Sequence, residues 1–305
     1  MRKRRMEKRV TESIHHSKMK KTAKGLLAID VDGTLITDHG IITDTVYKAL
    51  EKVVSAGWEI VIATGRTWYA AQQVVESLPF VHYALFSNGA CIIDLQKAGI
   101  LHLEKIPPET SREVITIVRA NGAIPVLYNS NIFSQSMFYD TLENACEYFA
   151  WYLTNDLRSV RVQDILEHVD DVMQIGMIEN RDTIFQIRKA LQKYPVAVMS
   201  LPFESAHFGG KNHEYWFLQI MGENVSKNRA LHLMAGWMEI PEGRIVAVGD
   251  NYNDADMIAG ADVGVAMGNA PEEIRKLARV VVATNNDSGL AEVVEKVVLS
   301  DRFFK

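Results

Sequence analysis

"LLAIDVDGTLITD", residues 26–38, decides the fold. An apolar run from Leu26 to Ile29 leads straight into two aspartates one residue apart, Asp30 and Asp32, and then into Gly33, Thr34 and Leu35. The run predicts a core strand. Its end predicts a place that needs carboxylates, because a buried charge is costly unless it is paired or metal-bound.

Working outward, strands and helices alternate. Asp44 to Ala56 has helical spacing, with Val46, Leu50, Val53 and Val54 on one face, a Thr43 or Asp44 cap and Gly57 as its stop. "WEIVIATGR" (58–66) is a second strand ending in a loop, 67–78 a helix, and "VHYALFSNGA" (81–90) a third strand and loop. Near-continuous apolar strands between amphipathic helices imply a parallel sheet covered on both faces. From Cys91 the rhythm changes. "CIIDLQKAGILHLEKI" (91–106) reads as a hairpin; a helix (108–121), strands near 124–129 and 132–138, a helix after Asp140, a strand at 170–178, a helix at 181–193 and two more strands follow. This pattern predicts a largely antiparallel sheet with helices on one face. After Gly222 the first rhythm returns: Ser226 caps a helix, "RIVAVGD" (244–250) is a strand, and further strands and helices finish the chain. The expected organisation is a Rossmann-like, doubly wound parallel-sheet α/β core from 25–90 and 222–305, an inserted α+β domain at 91–221, and a basic, disordered tail at 1–24.

Four strand ends finish in polar groups: "DVDGT", "ATGR", "SNGA" and "GDNYND". In open α/β sheets the ligand crevice lies beyond the carboxyl ends of the strands. If these loops converge, Asp30, Asp32, Asp250 and Asp254 crowd their charges together and call for a cation. Hard oxygen donors favour magnesium over zinc.

Composition bounds the alternatives. The chain has 305 residues, 48% hydrophobic and 23% charged, typical of a folded globular protein. No apolar stretch reaches the roughly 18 residues that span a bilayer. Ten of the first 24 residues are Lys or Arg against two acids, which leaves a body balance of −13 within the overall −5. An acidic body argues against a nucleic-acid-binding domain, and the tail has no apolar core of a secretion signal. Cys91 and Cys146, far apart, make no disulfide framework and fit a reducing, cytoplasmic compartment.

Together these motifs resemble the haloacid-dehalogenase-like phosphatase superfamily, and within it the Cof-like sugar-phosphatase group with a large cap. The likeness runs over nearly everything after Gly25. Motif one resembles Asp30-Val31-Asp32-Gly33-Thr34-Leu35, motif two Thr64-Gly65-Arg66, motif three Lys227 of "VSKNRAL", and motif four Gly249-Asp250-Asn251-Tyr252-Asn253-Asp254. The resemblance implies a phosphatase of small phosphorylated metabolites. Asp30 is then the nucleophile, forming an aspartyl-phosphate, and Asp32 the general acid and base. Magnesium is held by the Asp30 side chain, the Asp32 carbonyl and Asp250, with Asp254 in support. Thr64 and Lys227, which belong with Asp30 and Asp32 to the catalytic set, bind the phosphoryl oxygens, with Gly65, Asn253 and Asn88 as further substrate contacts; Arg66 and Asn88 are scaffold or site edge rather than catalytic. The inserted domain acts as a lid that excludes water and reads the leaving group, with His207 and Lys211 among its candidate contacts; the alternative for His207 and His213 is a surface loop. Rivals are a phosphomutase and a non-catalytic regulator on the same fold. Hexose phosphates, flavin mononucleotide, pyridoxal phosphate and nucleotides are all candidate substrates, and the oligomeric state is open.

Overall fold

The strand that opens the fold, β1 (Leu26–Ile29), is fully buried, and its apolar run explains why: it has neighbours on both edges and cover on both faces. The structure, a computed structural model, describes residues 23–205, 210–300 and 302–304, without the side chains of 204, 205 and 210–213. Nearly all of the basic tail, His207 and the side chains of Lys211 and His213 therefore lie outside the described residues.

After β1 the chain forms α1 (Asp44–Ser55), β2 (Glu59–Ala63), α2 (Trp68–Glu76), β3 (Tyr83–Phe86), β4 (Cys91–Asp94) and β5 (Gly99–Leu103). Thr43 Oγ1 caps α1 by accepting from the Val46 amide at 3.3 Å, and Val46, Ala49, Leu50 and Val53 face the core as the spacing requires. The next elements are α3 (Pro108–Ala120), β6 (Val126–Asn129), β7 (Met137–Tyr139), α4 (Glu147–Asn155), β8 (Ser159–Arg161), β9 (Val172–Asn180), α5 (Arg181–Leu191), β10 (Val196–Ser205) and β11 (Gly210–Gly222). The last stretch is α6 (Lys227–Trp237), β12 (Ile245–Gly249), α7 (Ala255–Gly260), β13 (Val263–Ala266), α8 (Glu272–Leu277), β14 (Val280–Val281) and α9 (Gly289–Val293).

Two units result, one of residues up to His102 together with those from Ser226 onward, the other Leu103–Val225. In the first, eight strands lie in the order β14-β13-β12-β1-β2-β3-β4-β5, and the six from β14 to β3 pair in parallel. The chain winds outward from β1 to β3, then returns to the other side of β1 at β12. The winding reverses between β1 and β12, so the loops after these two strands flank the crevice where such sheets bind ligands.

The insertion limits differ from the 91–221 expectation. β4 pairs antiparallel with β3, Phe86 opposite Cys91 and Tyr83 opposite Asp94, so the hairpin extends the first sheet. Its short connection lets it fold back on β3 before the chain leaves for the second unit.

That unit has a six-stranded sheet, β10-β11-β9-β6-β7-β8, antiparallel except for β7 with β8. Helices cover both faces, not one. Adjacent strand residues point to opposite faces; Trp216 meets Phe185 of α5 at 6.2 Å, whereas Phe217 meets Tyr152 of α4 at 6.3 Å. The strand expected over 132–138 starts only at Met137. Gln135 Nε2 donates to the Asn129 carbonyl and the Ser136 amide to Asn129 Oδ1, tying the preceding residues into a tight turn.

No helix among the described residues is long and apolar enough to cross a membrane.

Candidate active site

The strand ends β1, β2, β3 and β12 deliver the expected residues. Asp30 directly follows β1, and its amide donates to the Val248 carbonyl of β12 at 3.0 Å, so the two central strand ends are stitched together at the site. The next residues turn sharply: the Leu35 and Ile36 amides both donate to the Val31 carbonyl at 3.1 Å. Gly33, at φ +72°, lets this turn lie against motif four, because a Cβ there would meet Asp250 Oδ2 at 2.2 Å.

Lys227 is the first residue of α6, whose cap is Ser226, and its side chain is wholly buried. Its ammonium donates to Asp30 Oδ1 and to Asp254 Oδ1, each at 2.6 Å. The other Asp254 oxygen, Oδ2, accepts the amides of Asp250 and Asn251 at 3.0 Å each. The 250–254 turn thus folds around one carboxylate, which is fully engaged. Asp250 is held by neutral donors, the Thr34 hydroxyl at 3.4 Å and the Asn269 amide at 3.1 Å.

The electrostatics follow from this crowding. Burial and the charge of Asp254 push the Asp30 carboxyl up to about 7, against the pull of Lys227. Burial and the charges of Asp30 and Asp254 push Asp250 up to about 8. Burial works against the Lys227 charge, but Asp254 and Asp30 outweigh it and hold the ammonium above its ordinary value.

One oxygen from each of Asp30, Asp250 and Asp254 lies within 4.8 Å of the others, and Lys227 balances one of the three charges. The all-oxygen donor set and the uncompensated double negative charge fit a divalent cation.

Asp32 does not join this cluster, contrary to the expected crowding of four carboxylates. Its exposed side chain is held by Arg66, whose Nε donates to Oδ2 at 2.8 Å and Nη2 to Oδ1 at 2.5 Å. The fork geometry of a guanidinium suits that two-point grip. Arg66, expected to be scaffold or site edge, is the direct partner of a candidate catalytic acid.

Thr64 is buried; its Oγ1 accepts the Arg66 amide at 3.1 Å, and its carbonyl accepts the Asn88 amide at 3.1 Å. Ser87, Asn88 and Gly89 all have positive φ, at 49°, 56° and 95°. This run carries Asn88 back over motif two, where Asn253 Nδ2 donates to Asn88 Oδ1 at 3.4 Å. Gly65 lies beneath the two amides, a Cβ there coming within 2.9 Å of Asn88 Oδ1. At Gly89 a Cβ would meet the Ser226 carbonyl at 2.5 Å, so the turn sits directly on the start of α6. Motifs two, three and four therefore share one end of the sheet with motif one.

Two residues escaped the sequence reading, Asn269 after β13 and Asn285 after β14. The signal was present: "MGNA" and "ATNN" are also strand ends that finish in polar groups.

The profile of the haloacid dehalogenase-like hydrolases matches residues 27–294. Phosphatase YwpJ of Bacillus subtilis is 27% identical over 291 residues, covering 90% of this chain and 99% of its own. The B. subtilis 5-amino-6-(5-phospho-D-ribitylamino)uracil phosphatase YitU is 25% identical over 283 residues, covering 89% and 96%. Among solved structures, the phosphatase BT1666 from Bacteroides thetaiotaomicron superposes with a TM-score of 0.75 at 24% identity, covering 91% of this chain and 96% of its own; it supports the fold.

Proposed function

Because the chain belongs to the haloacid dehalogenase-like hydrolase family, in its Cof-like group, and is a phosphatase, we propose that it hydrolyses small phosphorylated metabolites through an aspartyl-phosphate on Asp30. The observation that carries this proposal is the cluster of Asp30, half-buried Asp250 and Asp254, in which the buried Lys227 ammonium pairs with Asp30 and Asp254.

In the first half-reaction an Asp30 oxygen attacks phosphorus. The bond from phosphorus to the ester oxygen breaks, and Asp32 protonates the departing alcohol. In the second, Asp32 takes a proton from water, the hydroxide attacks phosphorus, and the Asp30–phosphorus bond breaks to release inorganic phosphate. Lys227 has three N–H donors, two of them engaged by Asp30 and Asp254, so the third serves a phosphoryl oxygen. The Thr64 hydroxyl accepts from Arg66 and keeps its own hydrogen to donate. Asn253, Asn88 and the Gly65 amide complete the proposed phosphate cradle.

Magnesium is the proposed metal, held by Asp30, Asp250 and the Asp32 carbonyl with Asp254 in support; it would offset the repulsion between an anionic enzyme and an anionic ester. The Leu103–Val225 unit is the proposed lid and reader of the leaving group, on the ground of its insertion between the two halves of the core. Sugar phosphates and similar phosphomonoesters are the proposed substrates. A cytoplasmic location accords with the two free cysteines.

The test is release of phosphate from a panel of phosphorylated metabolites by the full chain, with magnesium and with chelator. Magnesium-dependent release from at least one small ester is expected. Release that is equal in chelator would overturn the metal assignment, and no release from any ester would overturn the proposal.

A further inference from the structure

Asp250 meets a conflicting requirement. It must be fixed in position, yet its charge must stay available to a cation. A lysine partner would fix it by neutralising it. The structure fixes it with an amide instead. Asn269, in the exposed loop after β13, donates from Nδ2 to Asp250 Oδ2 at 3.1 Å and to the Gly33 carbonyl at 2.9 Å. One amide nitrogen thereby joins motif four to motif one, the two loops flanking the reversal of the sheet.

The amide cannot turn over without loss. Its Oδ1 accepts the Asn285 backbone amide at 3.1 Å, an N–H that only the oxygen can receive, so the two hydrogens of Nδ2 face Gly33 and Asp250. Asn285 is itself anchored. It is 4% exposed, and its Nδ2 donates to the Ile36 carbonyl at 3.0 Å and to Asp38 Oδ1 at 3.1 Å. Asn286 then closes a two-way bond with Asp38: its Nδ2 donates to Asp38 Oδ2 at 2.9 Å and its Oδ1 accepts the Asp38 amide at 3.1 Å. A chain of amide side chains thus runs from Asp38, on the far side of the motif-one loop, to Asp250, and none of these amides supplies a positive charge.

We propose that Asn269, braced by Asn285, is a positioning residue for the divalent-metal site: it aims Asp250 and holds the motif-one turn beside it without neutralising the carboxylate. This rests on the metal role proposed for Asp250. Partners that orient a metal-binding carboxylate typically matter about 10- to 100-fold in metal affinity.

The experiment is calorimetric titration of magnesium alone into the chelator-stripped full chain, with melting of the metal-free protein as a check on folding. Asn269→Ala is expected to bind magnesium about 10- to 100-fold more weakly than wild type. Excess magnesium should restore its turnover of an aryl phosphate, a rescue that a merely structural role would not give. Asn269→Ser keeps one donor and should fall between; it keeps the test open if the alanine variant does not fold. Magnesium binding by both variants equal to wild type, or a turnover loss that excess magnesium leaves unchanged, would overturn the proposal. Asp250→Asn separates the two levels: if it binds magnesium normally, the metal role of Asp250 fails, whereas loss there with normal binding by Asn269→Ala and Asn269→Ser fails the positioning role alone.

Discussion

Arg66 grips both carboxylate oxygens of Asp32, at 2.8 Å from Nε and 2.5 Å from Nη2, while its Nη1 donates to the Ala70 carbonyl in the first turn of α2 at 3.0 Å. The candidate acid and base of motif one is thus aimed by a residue of motif two that is itself tied to a helix.

This pairing predicts a leaving-group effect. The Arg66 and Asp32 side chains are 30% and 58% exposed, so the pair adds no more than about 1 kcal/mol to stability. Arg66→Ala and Arg66→Lys should melt near wild type, yet both should lose turnover, since lysine cannot reproduce a two-point grip. The loss in kcat/KM, which reports phosphoryl transfer to Asp30, should be large for alkyl phosphates, whose alcohols need a proton, and small for nitrophenyl phosphate, whose phenolate does not; kcat should fall on both, because the attacking water still needs a base. Equal losses in kcat/KM on both esters would show that Arg66 does not act through Asp32.

The buried lysine predicts the opposite balance. Lys227→Met removes the only cation that contacts both Asp30 and Asp254 among the described residues and leaves two buried carboxylates facing each other. Breaking such a pair costs about 3–5 kcal/mol. Urea unfolding in chelator should register a loss of that order, and Asp30→Asn added to Lys227→Met should recover part of it. Wild-type stability of Lys227→Met would mean that the carboxylates already relieve one another by protonation.

The core was legible because its signals are local. Leu26–Ile29, Glu59–Ala63 and Ile245–Gly249 are short apolar runs with polar ends, and burial on both faces leaves little else for them to be. The convergence of Asp30, Asp250 and Asp254 followed from the strand-end rule. What was not legible depends on pairing between distant segments. Whether Cys91–Asp94 extends the first sheet or opens the second is decided by β3, not by its own composition. The Asp32 side chain could have joined the other acids until the Arg66 position was known. Asn269 and Asn285 carry no charge and lie in the loops after the last two strands, where an amide reads as a turn residue.

A pH dependence follows from the crowding. Asp30 and Asp250 sit at about 7 and about 8, above the ordinary 3.8. Across that window the metal-free folded state holds more protons than the unfolded chain, so these two groups lower stability as pH rises from near 4 toward 8. A divalent cation favours the ionised carboxylates and removes this slope. The rise in melting temperature on adding magnesium should therefore be larger at about pH 8 than at about pH 5. A magnesium effect independent of pH, measured by scanning calorimetry in matched buffers, would contradict the assignment of these carboxylates to the metal.

Asp30 and Asp32, one residue apart in the chain, are divided by the fold: Asp30 is buried against Lys227, and Asp32 is exposed in the grip of Arg66. That separation predicts different defects. Asp30→Asn replaces the proposed nucleophile with a poor one and should abolish turnover and any phosphoryl-enzyme. Asp32→Asn keeps its backbone carbonyl and leaves Asp30 in place, but loses general acid–base help of about 10²- to 10⁴-fold. With a good leaving group the first half-reaction needs little protonation, whereas the attacking water still needs a base. The phosphoryl-enzyme should therefore accumulate in Asp32→Asn and never in Asp30→Asn. Rapid acid quench with a radiolabelled aryl phosphate, followed by peptide mapping, distinguishes the two. Label on Asp32, or on a histidine or serine, would overturn the proposed nucleophile, because only one of the two carboxylates is placed beside the buried ammonium that would hold the transferring group.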